Sequence, residues 1–390
     1  TLTPLFDMLR TASALRQGLR PALGSALDAA GPKPRHLSLL APSPLRMQQL
    51  DDIKALNDFF PTVVEQLLEE SKVCNIPSET EWLAKLLNHT VPGGKMVRAL
   101  ATYNGMRELG PSPSQQSDEF IAKAKCLAWS VEMIQSSMAL ADDIADQAPQ
   151  RRGKPSWYTI AGSGAVFDAL LLEHCSYRLL KRHFTEDAYF YTIELFVNTV
   201  FRLCIGQNHD IHCLAAGKPK FDDFSLERYR ALCEFKSGEY SFYLPTAAAM
   251  FANGLTDPLA HKAARDIASD LGYIYQIQDD YLDCYGIIEH MGKQRTDIRN
   301  GKCTWLVAEA KRRATPKLLK TLKENYGMDD DAKVAIVEQV YEDLSMKQVF
   351  LDFEAKSFKD ITNKIDKYSK VLPRVLYTYV LESVKYHVNR

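Results

Sequence analysis

The chain reads as an all-α protein whose helices form one large domain, and three observations carry that reading. Apolar residues recur at three- and four-residue spacing through 51–70, 121–145, 167–184, 191–206 and 261–285, the period of amphipathic helices. Few segments alternate in the manner of strands. No internal repeat of solenoid period and no long linker interrupts residues 49–390. The punctuation between helices is short: Val91-Pro-Gly-Gly94, Gly110-Pro-Ser-Pro, Gly217-Lys-Pro and Asn253-Gly254.

Residues 1–48 differ in character. Arg10, Arg16, Arg20, Lys33, Arg35 and Arg46 outnumber Asp7 and Asp28, and Pro32, Pro34, Pro42 and Pro44 close the segment. Such an Arg-rich, acid-poor leader resembles a mitochondrial transit peptide, with a disordered tail as the alternative. The remaining residues, 49–390, are expected to form the catalytic domain. A hydrophobic content of 46% supplies a core, and a net charge of −1 argues against a nucleic-acid partner. Cys74, Cys126, Cys175, Cys204, Cys213, Cys233, Cys284 and Cys303 are scattered without CxxC pairs. They read as reduced thiols of an intracellular protein, cytoplasmic or mitochondrial. No run of about eighteen apolar residues occurs, so no membrane span is expected.

The chemistry lies in two aspartate motifs. Asp142-Asp143-Ile-Ala-Asp146 and Asp279-Asp280-Tyr-Leu-Asp283 each place carboxylates at i, i+1 and i+4 inside an apolar or neutral stretch. On a helix, i and i+4 share one face. Carboxylates so placed repel each other, and burial makes this worse unless a cation compensates. Two such faces across a cavity would form an oxygen-rich Mg²⁺ site. Mg²⁺ takes a few carboxylates together with water and phosphate oxygens, which points to a phosphorylated substrate.

Basic groups accompany the aspartates in short motifs. Arg151-Arg152-Gly153-Lys154 follows the first one closely. Lys95 and Arg98 follow the Gly93-Gly94 turn, Lys236 precedes Ser237, and Lys293 and Lys302 come after the second motif. Any one of these reads as a solvated surface charge; the set reads as a diphosphate site. With Gln135, Gln207-Asn-His-Asp210, Gln276-Ile-Gln and Lys302-Cys-Thr-Trp305, residues 50–385 resemble the farnesyl diphosphate synthase family of trans-isoprenyl diphosphate synthases.

The resemblance implies an isoprenoid-synthase helical bundle, usually a homodimer. Its central cavity would be lined by the two aspartate-rich helices and would hold a three-magnesium cluster. It implies that Asp142, Asp146 and Asp279 ligate Mg²⁺, with Asp143, Asp280 and Asp283 as supports. Arg151, Lys236 and Lys302 would grip an allylic prenyl diphosphate, assisted by Ser237, Gln276 and Lys293. Lys95, Arg98, Gln135 and Arg152 would form the pocket for isopentenyl diphosphate. Tyr240, Phe242, Tyr275 and Trp129 are available to shield an allylic cation, each contributing about 0.5–2 kcal/mol through cation–π contact.

Four departures from the family pattern bear on the reaction. Val97 stands where asparagine is usual, and loss of a polar contact to a charged group costs about 1.5–3 kcal/mol. Arg295 replaces a glycine, and the terminus Tyr386-His-Val-Asn-Arg390 replaces a basic run. Ser137 and Met138 stand where bulky aromatics form the pocket floor, about 5.4 Å beneath Asp142. The first three weaken the isopentenyl side; the last alters how deep a prenyl tail reaches. This pattern resembles insect terpene synthases derived from the family. The reading it favours is a terpene synthase that ionises farnesyl diphosphate and releases pyrophosphate. The alternative is a farnesyl or geranylgeranyl diphosphate synthase. A non-catalytic subunit fits poorly, because all six aspartates are present.

Overall fold

Several helix starts in this chain are set by local capping. Ser117 accepts from the Phe120 amide, Asp257 from Leu259 and Ala260, and Thr304 from Val307, each satisfying donors that the first helical turn leaves unpaired. The structure, a computed structural model, describes residues 44–214, 221–286, 295–385 and 387–388. The expected leader thus falls, up to residue 43, outside the described residues, as does Lys293.

The described chain is helical nearly throughout. The helices are α1 (Pro44–Ser71), α2 (Pro77–Thr90), α3 (Val97–Leu109), α4 (Asp118–Ala145), α5 (Trp157–Ala161), α6 (Ala165–His183), α7 (Glu186–Leu214) and α8 (Leu226–Cys233). They continue as α9 (Leu244–Ala252), α10 (Pro258–Tyr285), α11 (Asp297–Asn300), α12 (Trp305–Arg313), α13 (Pro316–Asn325), α14 (Asp331–Asp343), α15 (Met346–Tyr368) and α16 (Val375–Lys385). Among the described residues the strand pairing consists of one hairpin, β1 (Gln150–Arg151) with β2 (Lys154–Pro155). The all-α expectation holds.

Two helices organise the bundle. Cys126 through Ile134 of α4 are buried on every side, as expected of a central helix rather than an amphipathic one. Around them α1, α2, α3, α6 and α7 supply one apolar cluster that includes Leu56, Leu86, Leu100, Leu172 and Phe196. Helix α10 is the second axis. It contributes Ile267 and Leu271 to one cluster with α9 and α16, and Ile277 and Tyr281 to another with α12 and α15.

Between α8 and α9 the chain winds as a π-helix, Glu234–Tyr243, with the Leu244 amide donating to the Glu239 carbonyl. Wide turns of this kind often mark functional sites. This one lies directly on α10. A Cβ on Gly272 would fall 2.2 Å from the Gly238 amide nitrogen, so only glycine permits the approach.

By length and composition alone, Glu186–Asn208 of α7 could cross a bilayer, with mean hydropathy 1.2; the sequence reading expected no such stretch. Its Phe196, Val200 and Leu203 pack into the core, and it carries Glu194 and Arg202 in its middle.

Candidate active site

The first aspartate motif closes α4, with Asp146 as the C-cap residue. Carboxylates are unfavourable at that end, where the helix dipole is already negative, so they need cations. The hairpin after α4 provides one. Its two-residue loop, Arg152-Gly153, has φ of 54° and 73°, the primed turn that folds two strands tightly back. Arg151 is thereby returned to the motif: Nε donates to Asp143 Oδ1 at 2.7 Å and Nη2 to Asp142 Oδ2 at 3.2 Å. Gln207 of α7 donates to Asp142 Oδ1 at 3.0 Å.

Burial raises the Asp143 carboxyl pKa, and Arg151 opposes it. Burial and then repulsion from Asp142 raise that of Asp146, opposed by Lys302, Arg151 and Lys236. Cations from three separate segments therefore face one carboxylate.

The second motif ends α10 and spends its aspartates differently. Asp280 is buried and accepts from the Trp305 amide at 2.8 Å and from Gln276 Nε2 at 3.2 Å. Burial and then the neighbouring Asp297 push its carboxyl up to about 7. Asp283, also buried, accepts from the amides of Thr296 at 3.2 Å and Asp297 at 3.0 Å. These two carboxylates hold the segment that carries Lys302. Asp279, its side chain 42% exposed, faces outward from the helix.

Lys302 connects the motifs. Burial works against its charge, yet Asp297, Asp146, Asp142 and Asp283 around it raise its pKa. A cavity of about 130 Å³ beside it is lined by Lys236, Gln276, Asp279, Asp280, Asp297 and Lys302. Ser237 Oγ donates to Gln276 Oε1 at 2.8 Å, so Gln276 relays the π-helix to Asp280. Of the residues singled out from sequence, Asp142, Asp146, Asp279, Arg151, Lys236 and Lys302 converge here.

Asp142, Asp146 and Asp279 are oxygen donors of the kind Mg²⁺ takes. Among the described residues no three acidic, histidine or cysteine side chains are close enough to share one ion. The donor set therefore fits ions that take one or two carboxylates each and complete their shells with water and phosphate oxygens.

The acceptor-side residues gather around the glycine turn. Arg98 Nη2 donates to Ser241 Oγ at 2.5 Å and its guanidinium lies 4.5 Å from the Tyr240 ring centre. Tyr240 in turn donates to Gln135 Oε1 at 2.8 Å. Arg152 is engaged elsewhere, its Nη1 donating to the carbonyls of Thr90, Val91 and Pro92 at 3.1, 3.0 and 3.2 Å. It braces the end of α2 and stacks on Gly94, where a Cβ would sit 3.0 Å from its Nε. Arg152 thus shapes the turn, and it lines a cavity together with Arg151, Gly93 and Gly94. Buried Glu132 lies 3.7 Å from its Nη2.

Val97 packs with Ala101 and Phe242 in an apolar cluster, which accounts for a valine at this position. Arg295 donates to the Gly286 carbonyl at 2.6 Å, at the end of α10. Trp129 is core: it donates to the Leu56 carbonyl at 3.1 Å and packs on Phe60. Phe242 and Tyr275 meet edge to face at 5.5 Å. Ser137 is buried, its hydroxyl without a hydrogen-bond partner among the described residues, while Met138 packs against the main core. A cavity of about 110 Å³ behind the first motif is lined by Ser136, Ala139, Leu140 and Asp143 of α4, by Gly93 and Gly94, and by Arg151, Arg152 and Lys154 of the hairpin; Ser137 and Met138 do not line it.

Sequence reasoning left Asp297, Glu132 and Gln207 without roles. Asp297 and Gln207 lie in or beside short motifs that the resemblance draws out; nothing local marks Glu132.

Residues 80–344 match the polyprenyl synthetase family. The chain is 36% identical to the farnesyl pyrophosphate synthase of Gallus gallus over 332 residues, covering 84% of this chain and 90% of that one. It is 38% identical to that of Saccharomyces cerevisiae over 313 residues, covering 79% and 89%. With the farnesyl pyrophosphate synthase of Murgantia histrionica it shares 33% over 356 residues, covering 90% and 86%. The helical bundle, the paired aspartate motifs and these relatives together make the chain an enzyme of the isoprenyl diphosphate synthase family, on its farnesyl diphosphate synthase branch.

Proposed function

We propose that the enzyme elongates prenyl chains, joining an allylic diphosphate to isopentenyl diphosphate, which reverses the preference for a terpene synthase. One observation carries this reading: the cations form two groups. Arg151, Lys236 and Lys302 stand at the aspartate motifs, while Arg98 and Lys95 stand at the glycine turn. A single-substrate enzyme has use for the first group only. The names of the relatives point the same way.

In this reading Arg151, Lys236 and Lys302 stabilise the charge that builds on the departing diphosphate as the allylic C–O bond breaks. Asp142, Asp146 and Asp279 would hold Mg²⁺, which supplies further neutralisation of that charge when bound. Lys95 and Arg98 orient the second diphosphate so that its double bond lies against the allylic carbon, and positioning of this kind replaces an encounter in solution. A C–C bond forms, a proton leaves, and pyrophosphate is released. Tyr240, held by Gln135 and Arg98, and the Phe242–Tyr275 pair are the aromatic groups packed beside these residues.

The test is incubation with Mg²⁺ and geranyl or farnesyl diphosphate, with and without isopentenyl diphosphate. Longer prenyl alcohols after phosphatase treatment, formed only with both substrates, support elongation. Volatile terpenes from the allylic substrate alone, with isopentenyl diphosphate unconsumed, overturn it. That second reading draws on Val97, which removes a polar contact at the glycine turn, and on Ser137 and Met138.

A homodimer belongs to the same proposal. Val166, Phe167, Leu170 and Leu171 of α6 are exposed, Phe167 at 75%. Phe190, Val197, Phe201 and Ile205 of α7 are exposed as well. Apolar surface of this extent on an enzyme marks an interface. A second copy covering both stripes predicts a dimer by sedimentation, broken by Phe167→Glu with Phe201→Glu.

A further inference from the structure

The last described residues reach the centre of the site. Helix α16 is anchored to α1: Gln49 Nε2 donates to the Tyr379 carbonyl at 3.1 Å and to Ser383 Oγ at 2.8 Å, and Tyr379 donates to Asp52 at 2.9 Å. The chain then turns, with the His387 amide donating to the Val384 carbonyl at 3.0 Å. His387 is only 3% exposed, and its ring stacks on Tyr275 at 4.2 Å. Nδ1 lies 2.7 Å from Lys95 Nζ and Nε2 lies 2.6 Å from Asp279 Oδ1. The ammonium can only donate. Nδ1 therefore accepts, the ring proton sits on Nε2, and Nε2 donates to the Asp279 carboxylate.

From this geometry we infer that His387 is a positioning residue for the acceptor half of the site. It spaces Lys95 from Asp279 and fixes the direction of both through its two ring nitrogens. The inference rests on the elongation reading, in which Lys95 serves the second diphosphate. Without the ring, an ammonium and a carboxylate on facing walls attract each other across the gap that it leaves. Lys95 then turns from the acceptor diphosphate, and Asp279 turns from the cavity. Side-chain shape alone cannot replace the ring, because a donor must face Asp279 and an acceptor must face Lys95. Glutamine carries both groups; leucine fills similar space with neither.

Calorimetric titration of isopentenyl diphosphate into the full chain, loaded with Mg²⁺ and inorganic pyrophosphate, tests this in His387→Gln, His387→Leu and His387→Ala. The leucine and alanine variants should each raise Kd about tenfold, the size of one lost charge-assisted hydrogen bond, while glutamine recovers most of the affinity. Leucine and glutamine, which fill the ring's space, should melt together, while alanine leaves a cavity and melts lower. In steady state the leucine variant should raise KM for isopentenyl diphosphate far more than it lowers kcat. Leucine binding like the unaltered chain, or glutamine binding as weakly as alanine, overturns the inference. So does an affinity loss that simply tracks melting temperature, since His387 would then be packing only. Failure of the unaltered chain to bind isopentenyl diphosphate has a separate signature: it removes the elongation reading, and this inference with it.

Discussion

The two aspartate motifs share a spacing but not a way of being held. In the first, buried Asp143 and half-exposed Asp142 are met by a side chain, Arg151, delivered by a hairpin. In the second, Asp280 and Asp283 are met by backbone amides of Trp305, Thr296 and Asp297. Identical i, i+1, i+4 patterns thus divide labour. The first motif is a charged surface balanced by side-chain cations that a substrate can recruit. The second is a clamp that organises the Lys302 segment and leaves Asp279 to face the cavity. Spacing decides which carboxylates share a helix face; the chain that follows each helix decides what they do.

The largest effect expected from this contrast is Asp142→Ala, with turnover falling about a hundred- to a thousandfold and little change in melting temperature. Unchanged turnover would remove Asp142 from the reaction. Asp280→Ala should behave in the opposite sense, leaving the Trp305 amide without its acceptor and costing about 1–3 kcal/mol of stability. Thermal melts compare it with Asp142→Ala, whose half-exposed carboxylate is met by side chains and whose loss should leave stability largely unchanged. If both variants melt alike, the division between clamp and surface collapses.

Gly272→Ala sharpens the comparison by disturbing the clamp from outside. Overpacking against Gly238 should cost about 1–3 kcal/mol and displace Lys236, seen as a joint fall in melting temperature and kcat. The smallest effect concerns the floor. Ser137→Phe with Met138→Phe should change product length rather than rate; an unchanged product profile removes both residues from the pocket floor.

Much of the bundle is readable from the chain because helix signals are local. The apolar period of α4 and α10, the caps at Ser117 and Asp257 and the paired carboxylates all depend on residues within a few positions of one another. The convergence of Arg151, Lys236 and Lys302 is readable only through the resemblance, since nothing local distinguishes Lys236 from a surface lysine. The bracing role of Arg152 is not legible in the sequence at all, because its carbonyl partners lie on α2 and the turn beyond it, about sixty residues earlier. Lys293 lies outside the described residues.

What the sequence alone determined is the inventory: which residues are helical, where acid and base are concentrated, and that one helix face can carry two carboxylates. Periodicity and capping act over one or two turns, so they survive without knowledge of the rest of the chain. Tertiary packing decided the orientation. One residue along a helix rotates the side chain by about 100°, and only the neighbours of α4 determine that Ser136 rather than Ser137 lines the cavity behind it. Packing also brought His387 to Asp279 across 108 residues of chain, because α16 is anchored on α1 and no local rule encodes where an anchored helix points.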